Sequence, residues 1–153
     1  MEIKTCCVTG RRDIPADKTD YVKQELRREI LEAVKNGYTH FLSGFDEGTD
    51  LLFASIVVEL KQEDESLWLE AAIPFRSRVE NPDPAFKELL GQCKSIGIHG
   101  ESDSPDCYIR CSRNMVSESQ RVIAVWDGQE QGDVADILRY ACSQEKEVRT
   151  IRI

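Results

Sequence analysis

The chain has 153 residues with 20 Lys+Arg against 28 Asp+Glu, a formal net charge of −8, and a sequence pI near 4.9. Residues 1–153 suit one compact domain, and 41% hydrophobic with 31% charged residues exclude a fibrous or disordered chain. An acidic mean field repels polyanions, so the expectation is no duplex nucleic acid and no membrane surface as partner, while a small anion in a local pocket stays open.

Ile3–Thr9 is an apolar run ending at Gly10, which predicts a buried strand. From Tyr21 to Lys35 the residues Val22, Leu26, Ile30, Ala33 and Val34 follow helical spacing, and Asn36-Gly37 supplies the stop. Tyr38–Leu42 reads as a second strand, closed by Ser43-Gly44, and a helix with a wide apolar face starts near Thr49. Leu67–Ile73 is a third strand, broken by Pro74. Asp83-Pro84 places a cap and a first-turn proline before a short helix, Ala85–Cys93.

Ser95–His99 predicts a fourth strand and Cys107–Ser117 a helix. Arg121–Trp126 is the clearest strand, ending in Asp127-Gly128. Gly132-Asp133 leads into a helix with Val134, Ile137, Leu138, Ala141 and Cys142 on one face, Asp133 reading as its cap, and Val148–Ile153 closes the chain as a strand. Strands alternating with helices imply parallel βαβ units with a sheet covered on both faces. The expected fold is a three-layer α/β/α, Rossmann-like domain with a mainly parallel sheet.

Met1-Glu2-Ile3-Lys4 has no apolar leader and no run reaches membrane-spanning length, so a cytoplasmic location is expected. The six cysteines are then thiols, with Cys6, Cys7 and Cys142 as small core residues. Only Cys107-x-x-x-Cys111 approaches a zinc knuckle, and the two histidines, His40 and His99, lie elsewhere. No metal and no cofactor are expected.

Ligands of open parallel sheets bind beyond the carboxyl ends of the strands. Those junctions are Thr9-Gly10-Arg11-Arg12, Ser43-Gly44-Phe45-Asp46-Glu47-Gly48-Thr49-Asp50, Pro74-Phe75-Arg76-Ser77-Arg78 and Asp127-Gly128 through Gly132-Asp133. Ser43-Gly44 with Gly48-Thr49-Asp50 is the best phosphate candidate, because free N–H groups and a hydroxyl at a helix start suit an anion. The plain alternative is a strand-to-helix turn capped by Thr49. Arg11, Arg12, Arg76 and Arg78 lie at the same strand ends, with Arg110 and Arg113 on the helix before the fifth strand, which favours a local anion site over ordinary surface pairing. Trp126 is either core or a base-stacking face with Phe75 opposite.

Thr9-Gly10-Arg11-Arg12, Ser43-Gly44-(x)3-Gly48-Thr49-Asp50, Ala72-Ile73-Pro74-Phe75, Arg113-Asn114-Met115-Val116 and Ile123-Ala124-Val125-Trp126-Asp127-Gly128 occur in this order. Together they resemble the SLOG superfamily, the Rossmann-like group that includes DprA and the Lonely Guy proteins, and within it the small bacterial YpsA-like branch. The resemblance implies a pocket for a small nucleotide-like ligand, cradled by the second-strand loop and the Asp127-Gly128…Gly132 loop. Lonely Guy enzymes are phosphoribohydrolases that use an arginine and a P-G-G-x-G-T-x-x-E loop. Arg113 matches that arginine, but Asp133 stands in place of the threonine and Asp136 in place of the glutamate. The expected function is therefore a nucleotide-binding module, sensor or processing factor. The alternative is a phosphoribohydrolase with Arg113, Asp136 and Asp50 as its catalytic candidates. The resemblance also implies a possible homo-oligomer through Val57, Val58 or the terminal strand.

Overall fold

The protein is described by a computed structural model covering residues 2–153. Strands β1 (Thr5–Gly10), β2 (His40–Ser43), β3 (Trp68–Ile73), β4 (Ser95–Ile98), β5 (Arg121–Trp126) and β6 (Glu147–Arg152) alternate with five helices. The helices are α1 (Thr19–Lys35), α2 (Thr49–Lys61), α3 (Pro84–Gly91), α4 (Pro105–Glu118) and α5 (Asp133–Ser143), with short 3-10 helices at Ala16–Lys18 and Arg76–Glu80. The strands form a single sheet in the order β4-β3-β2-β1-β5-β6, parallel at every pairing. This is the expected Rossmann-like α/β architecture.

The alternation of β1 divides the core. Cys6 and Val8 point to the side packed by Leu26 and Ile30 of α1, Phe53 and Val57 of α2, and Phe86 of α3. Cys7 points to the other side, where Cys111, Met115 and Val116 of α4 meet Ile137 and Ala141 of α5. Two expected assignments change. Cys142 is exposed, because the α5 face that packs runs through Ile137 and Ala141. Val57 is fully buried and is part of this chain's own core, so it offers no surface for association.

Two boundaries also move. Ile3 is 63% exposed and β1 begins at Thr5. Helix α4 begins at Pro105, where the Ser104 hydroxyl accepts from the Cys107 N–H at 3.2 Å. Among the described residues no helix is long and apolar enough to cross a membrane.

Candidate functional site

The sheet changes direction beside β1, which pairs with β2 on one edge and β5 on the other. Helices α1 to α3 cover one face and α4 and α5 the other. This is the topological switch point, where carboxyl-end loops diverge and leave a crevice.

The second-strand loop, the strongest phosphate candidate in the sequence, is closed upon itself. The Arg11 carbonyl accepts from the Thr49 backbone N–H at 3.2 Å and from the Thr49 hydroxyl at 2.8 Å, so it already caps α2. The Ser43 hydroxyl donates to the Asp50 carbonyl at 2.9 Å and accepts from the Phe45 N–H at 3.2 Å. Ser43 and Thr49 are both fully buried, and they hold the loop's shape rather than face a ligand. Glycine is required where the β1 loop crosses α2. A Cβ on Gly10 would stand 2.5 Å from the Thr49 side chain, and one on Gly48, at φ +79°, only 2.3 Å from the Arg12 carbonyl oxygen. Gly48→Ala is therefore expected to lower stability by about 2 kcal/mol through backbone strain and displacement of the β1 loop. A urea melt measures this, and an unchanged midpoint would refute the close approach.

The arginines are mostly paired, which overturns the expectation of a concentrated cationic edge. Arg11 bridges the crevice to Asp127, whose carboxyl is held below its usual range first by the Gln129 N–H and then by Arg11. Arg12 meets Asp46 at 3.2 Å and Glu47 at 2.9 Å. Arg78 donates to the Gly44 carbonyl at 2.8 Å and stands 3.8 Å from Asp46. Arg76 turns outward into a two-pronged pair with Glu101, and Arg110 lies along its own helix, donating to the Asp106 backbone carbonyl and the Cys107 sulfur. The carboxylates that neutralise Arg12 and Arg78 come from the same glycine loop that was expected to take the phosphate.

Four openings surround Tyr108 on the first turns of α4, three at the strand ends and one between α4 and α5. An inner cavity of about 20 Å³ is walled by Thr9, Gly10, Gly44, Asp46, Asp50, Pro74, Arg78, Ser112 and Tyr108, enough for about one water. A cleft of about 470 Å³ lies between Arg12, Phe75, Arg78, Tyr108 and Asp133. The switch-point crevice, about 320 Å³, runs from Gly10-Arg11-Arg12 past Tyr108 to Trp126, Asp127 and Gly132 through Ala135. Burial, then the carboxylates of Asp50, Asp46 and Asp133, raises the Tyr108 phenol above its ordinary value. Asp50, on the floor of the inner cavity, is pushed up to about 7 by burial first and the Asp46 carboxylate second. Tyr108 is the main residue that the sequence reading missed.

Other candidates fall elsewhere. Gly132, not Asp133, is the α5 cap, and Asp133 occupies the first helical position with its side chain on the crevice wall. Gly128, at φ +88°, lies under Arg152, whose guanidinium would be 2.1 Å from a Cβ there, so that glycine seats a side chain. Trp126 donates from its indole to the Gln129 carbonyl at 2.9 Å and carries Arg152 at 5.8 Å from its ring centroid. Phe75 carries Arg78 at 4.7 Å in a different cleft, so the two aromatics form no sandwich. Asn114 lines none of these openings. Arg113 and Asp136 line a groove between α4 and α5, away from Asp50 in the inner cavity, so the three catalytic candidates do not converge. His40 stacks on Trp68 at 4.9 Å, and burial lowers its pKa, the arrangement of a structural histidine.

Residues 12–153 match the family described as the YspA SLOG family. The chain belongs to that family. This SLOG chain is also similar to a UPF0398 protein of Bacillus pumilus (strain SAFR-032), 24% identical over 137 residues, 86% of this chain and 73% of the relative. A UPF0398 protein of Enterococcus faecalis (strain ATCC 700802 / V583) is 28% identical over 113 residues, 69% and 63% of the two chains. Among solved structures, DNA processing protein A from Helicobacter pylori, described for its single-stranded DNA binding mode, superposes with a TM-score of 0.69 at 18% identity. That match covers 96% of the SLOG chain but 64% of the neighbour. The structural-genomics target TM1055 gives 0.61 at 17% identity over 95% and 72%. Both likenesses establish the fold. The first also corrects an expectation about partners: a neighbour on this fold is described by its nucleic-acid binding, so an acidic mean charge does not set nucleic acid aside. Net charge averages the whole surface, whereas recognition depends on the local field.

Proposed function

We propose that this SLOG chain binds a nucleotide or nucleotide-derived ligand in the crevice between the carboxyl ends of β1 and β5, as a binding module. The observation that carries the reading is the start of α5. The N–H groups of Asp133, Val134 and Ala135 have no hydrogen-bond acceptor among the described residues, and those residues open on the crevice. Free N–H groups at a helix N-terminus attract phosphate, and α5 meets this condition better than α2, which Arg11 already caps. The Asp133 carboxylate on the same wall repels a phosphate placed against it but accepts from ribose hydroxyls. Tyr108 bounds the adjoining cleft and offers a ring face to a base, beside the Phe75 ring that carries Arg78.

Single-stranded DNA binding by the Helicobacter neighbour on this fold supports the reading. A thermal-shift panel of mononucleotides, ADP-ribose and cyclic dinucleotides tests it. At about 100 times its Kd a ligand adds about 2.7 kcal/mol, which raises Tm by about 5–10 °C for a chain of this size. Silence across the whole panel would overturn the reading.

A further inference from the structure

We propose that the groove between α4 and α5 is a second nucleotide subsite, and that the ligand comprises two nucleotide units joined through phosphate. The inference rests on the reading above, in which the switch-point crevice takes the first unit. The groove encloses about 340 Å³, close to the 320 Å³ of the crevice, so it has room for a group of the same size. Tyr108 and Asp133 line both spaces. The two spaces therefore adjoin at these residues, and a ligand that fills both would extend over Tyr108.

The groove's chemistry fits a base and its phosphate. Ile109, 45% exposed, and Ile137 supply an apolar floor. The Tyr140 ring carries the Arg113 guanidinium at 5.0 Å from its centroid, and the Tyr140 hydroxyl is tied to Ser117 at 2.8 Å. Platform and cation are thus set before a ligand arrives. Arg113 forms no carboxylate pair among the described residues, in contrast to Arg11, Arg12, Arg76 and Arg78. Asp136, the acid beside it in the groove, is taken by Arg139. A guanidinium that leans on an aromatic face and keeps its N–H edge free meets phosphate while the ring meets a base. A mononucleotide in the crevice would leave all of this unused.

The test titrates the full chain with AMP, with the 5′-phosphorylated diadenylate pApA, and with an oligoadenylate of about ten residues. The expected result is that pApA binds about tenfold more tightly than AMP. Arg113→Ala should remove most of that advantage. Arg110→Ala, which deletes an equal charge one turn away from a residue lining neither space, should keep it. An oligonucleotide that binds no better than pApA identifies a free dinucleotide, and one that binds more tightly identifies a single strand; either supports two linked units. Equal affinity of the wild type for AMP and pApA, or an Arg110→Ala loss as large as that of Arg113→Ala, overturns the second subsite and leaves the nucleotide reading standing. Failure of all three probes overturns the second subsite, and the thermal-shift panel decides the nucleotide reading separately.

Discussion

Arg121→Ala is expected to lower the stability of the folded chain by about 3–5 kcal/mol, read as a fall in the urea midpoint with an unchanged slope. Arg121 opens β5 at the end of the sheet opposite the crevice and is 3% exposed. Its guanidinium donates to Glu147 at 3.0 and 3.1 Å and to the Asn36 side chain at 2.9 Å. It also stacks on Tyr38 at 4.6 Å from the ring centroid. It thereby ties β5 to β6 and to the end of α1. Burial pushes the Glu147 carboxyl up, but the hydrogen bonds from Arg149 and Arg121 outweigh it and hold it below its usual range. Nearby, Glu29 is 5% exposed; its Oε2 accepts from Arg28 at 3.2 Å, whereas its Oε1 accepts no hydrogen bond among the described residues and is compensated ionically by Arg149 at 3.6 Å. Removing Arg121 deletes the most buried cation of this cluster and leaves its carboxylates to Arg28 and Arg149. Arg121→Met separates charge from packing, since it restores apolar bulk. A large loss in Ala but not in Met would assign the effect to packing, and equal losses assign it to charge.

Nothing in the sequence marks that cluster, because Asn36, Arg121 and Glu147 are far apart in the chain and meet only when β5 lies between α1 and β6. The same reason separates the legible from the illegible throughout. The limits of β5 could be read residue for residue, since a Val-Ile-Ala-Val-Trp run between charged neighbours has one structural solution. The start of α4 carried the same cue as α3, a cap residue followed by proline, at Ser104-Pro105. Strand-end loops could be located because alternation places them at one edge of the sheet. Their electrostatics could not. Arg11 finds Asp127 across 116 positions and Arg12 finds Glu47 across 35, so these arginines have no visible partner in the sequence but are matched in the fold. Tyr108 reads as one polar-aromatic residue on an amphipathic helix. Only the packing of α4 against β1 and β3 brings it over the strand ends.

Asp50→Asn is expected to leave stability nearly unchanged below pH 4 and to raise it by about 2–4 kcal/mol at pH 8. In the unfolded chain Asp50 ionises near its ordinary 3.8, whereas in the folded chain burial and the Asp46 carboxylate hold it protonated to about 7. Between these values the folded state binds the extra proton, so rising pH favours unfolding until the folded carboxyl also ionises. A rise from 3.8 to about 7 corresponds to about 4 kcal/mol, and solvent screening of a half-buried group reduces it toward 2. Asparagine keeps the acceptor that the Asp46 N–H uses at 3.3 Å and never ionises, so the difference between the two proteins isolates this one group from every other acid in an acidic chain. Urea melts of both across pH 4 to 8 measure it. A difference independent of pH would mean that Arg78 keeps Asp50 charged. The consequence for function follows from geometry. Asp50 faces the inner cavity beside Ser112 and beneath Tyr108, so below neutral pH it presents an O–H donor there and above it only an acceptor. A ligand group that accepts from Asp50 would then bind more weakly as pH rises through 7, and the Asn variant, still a donor through its amide, would lose that dependence.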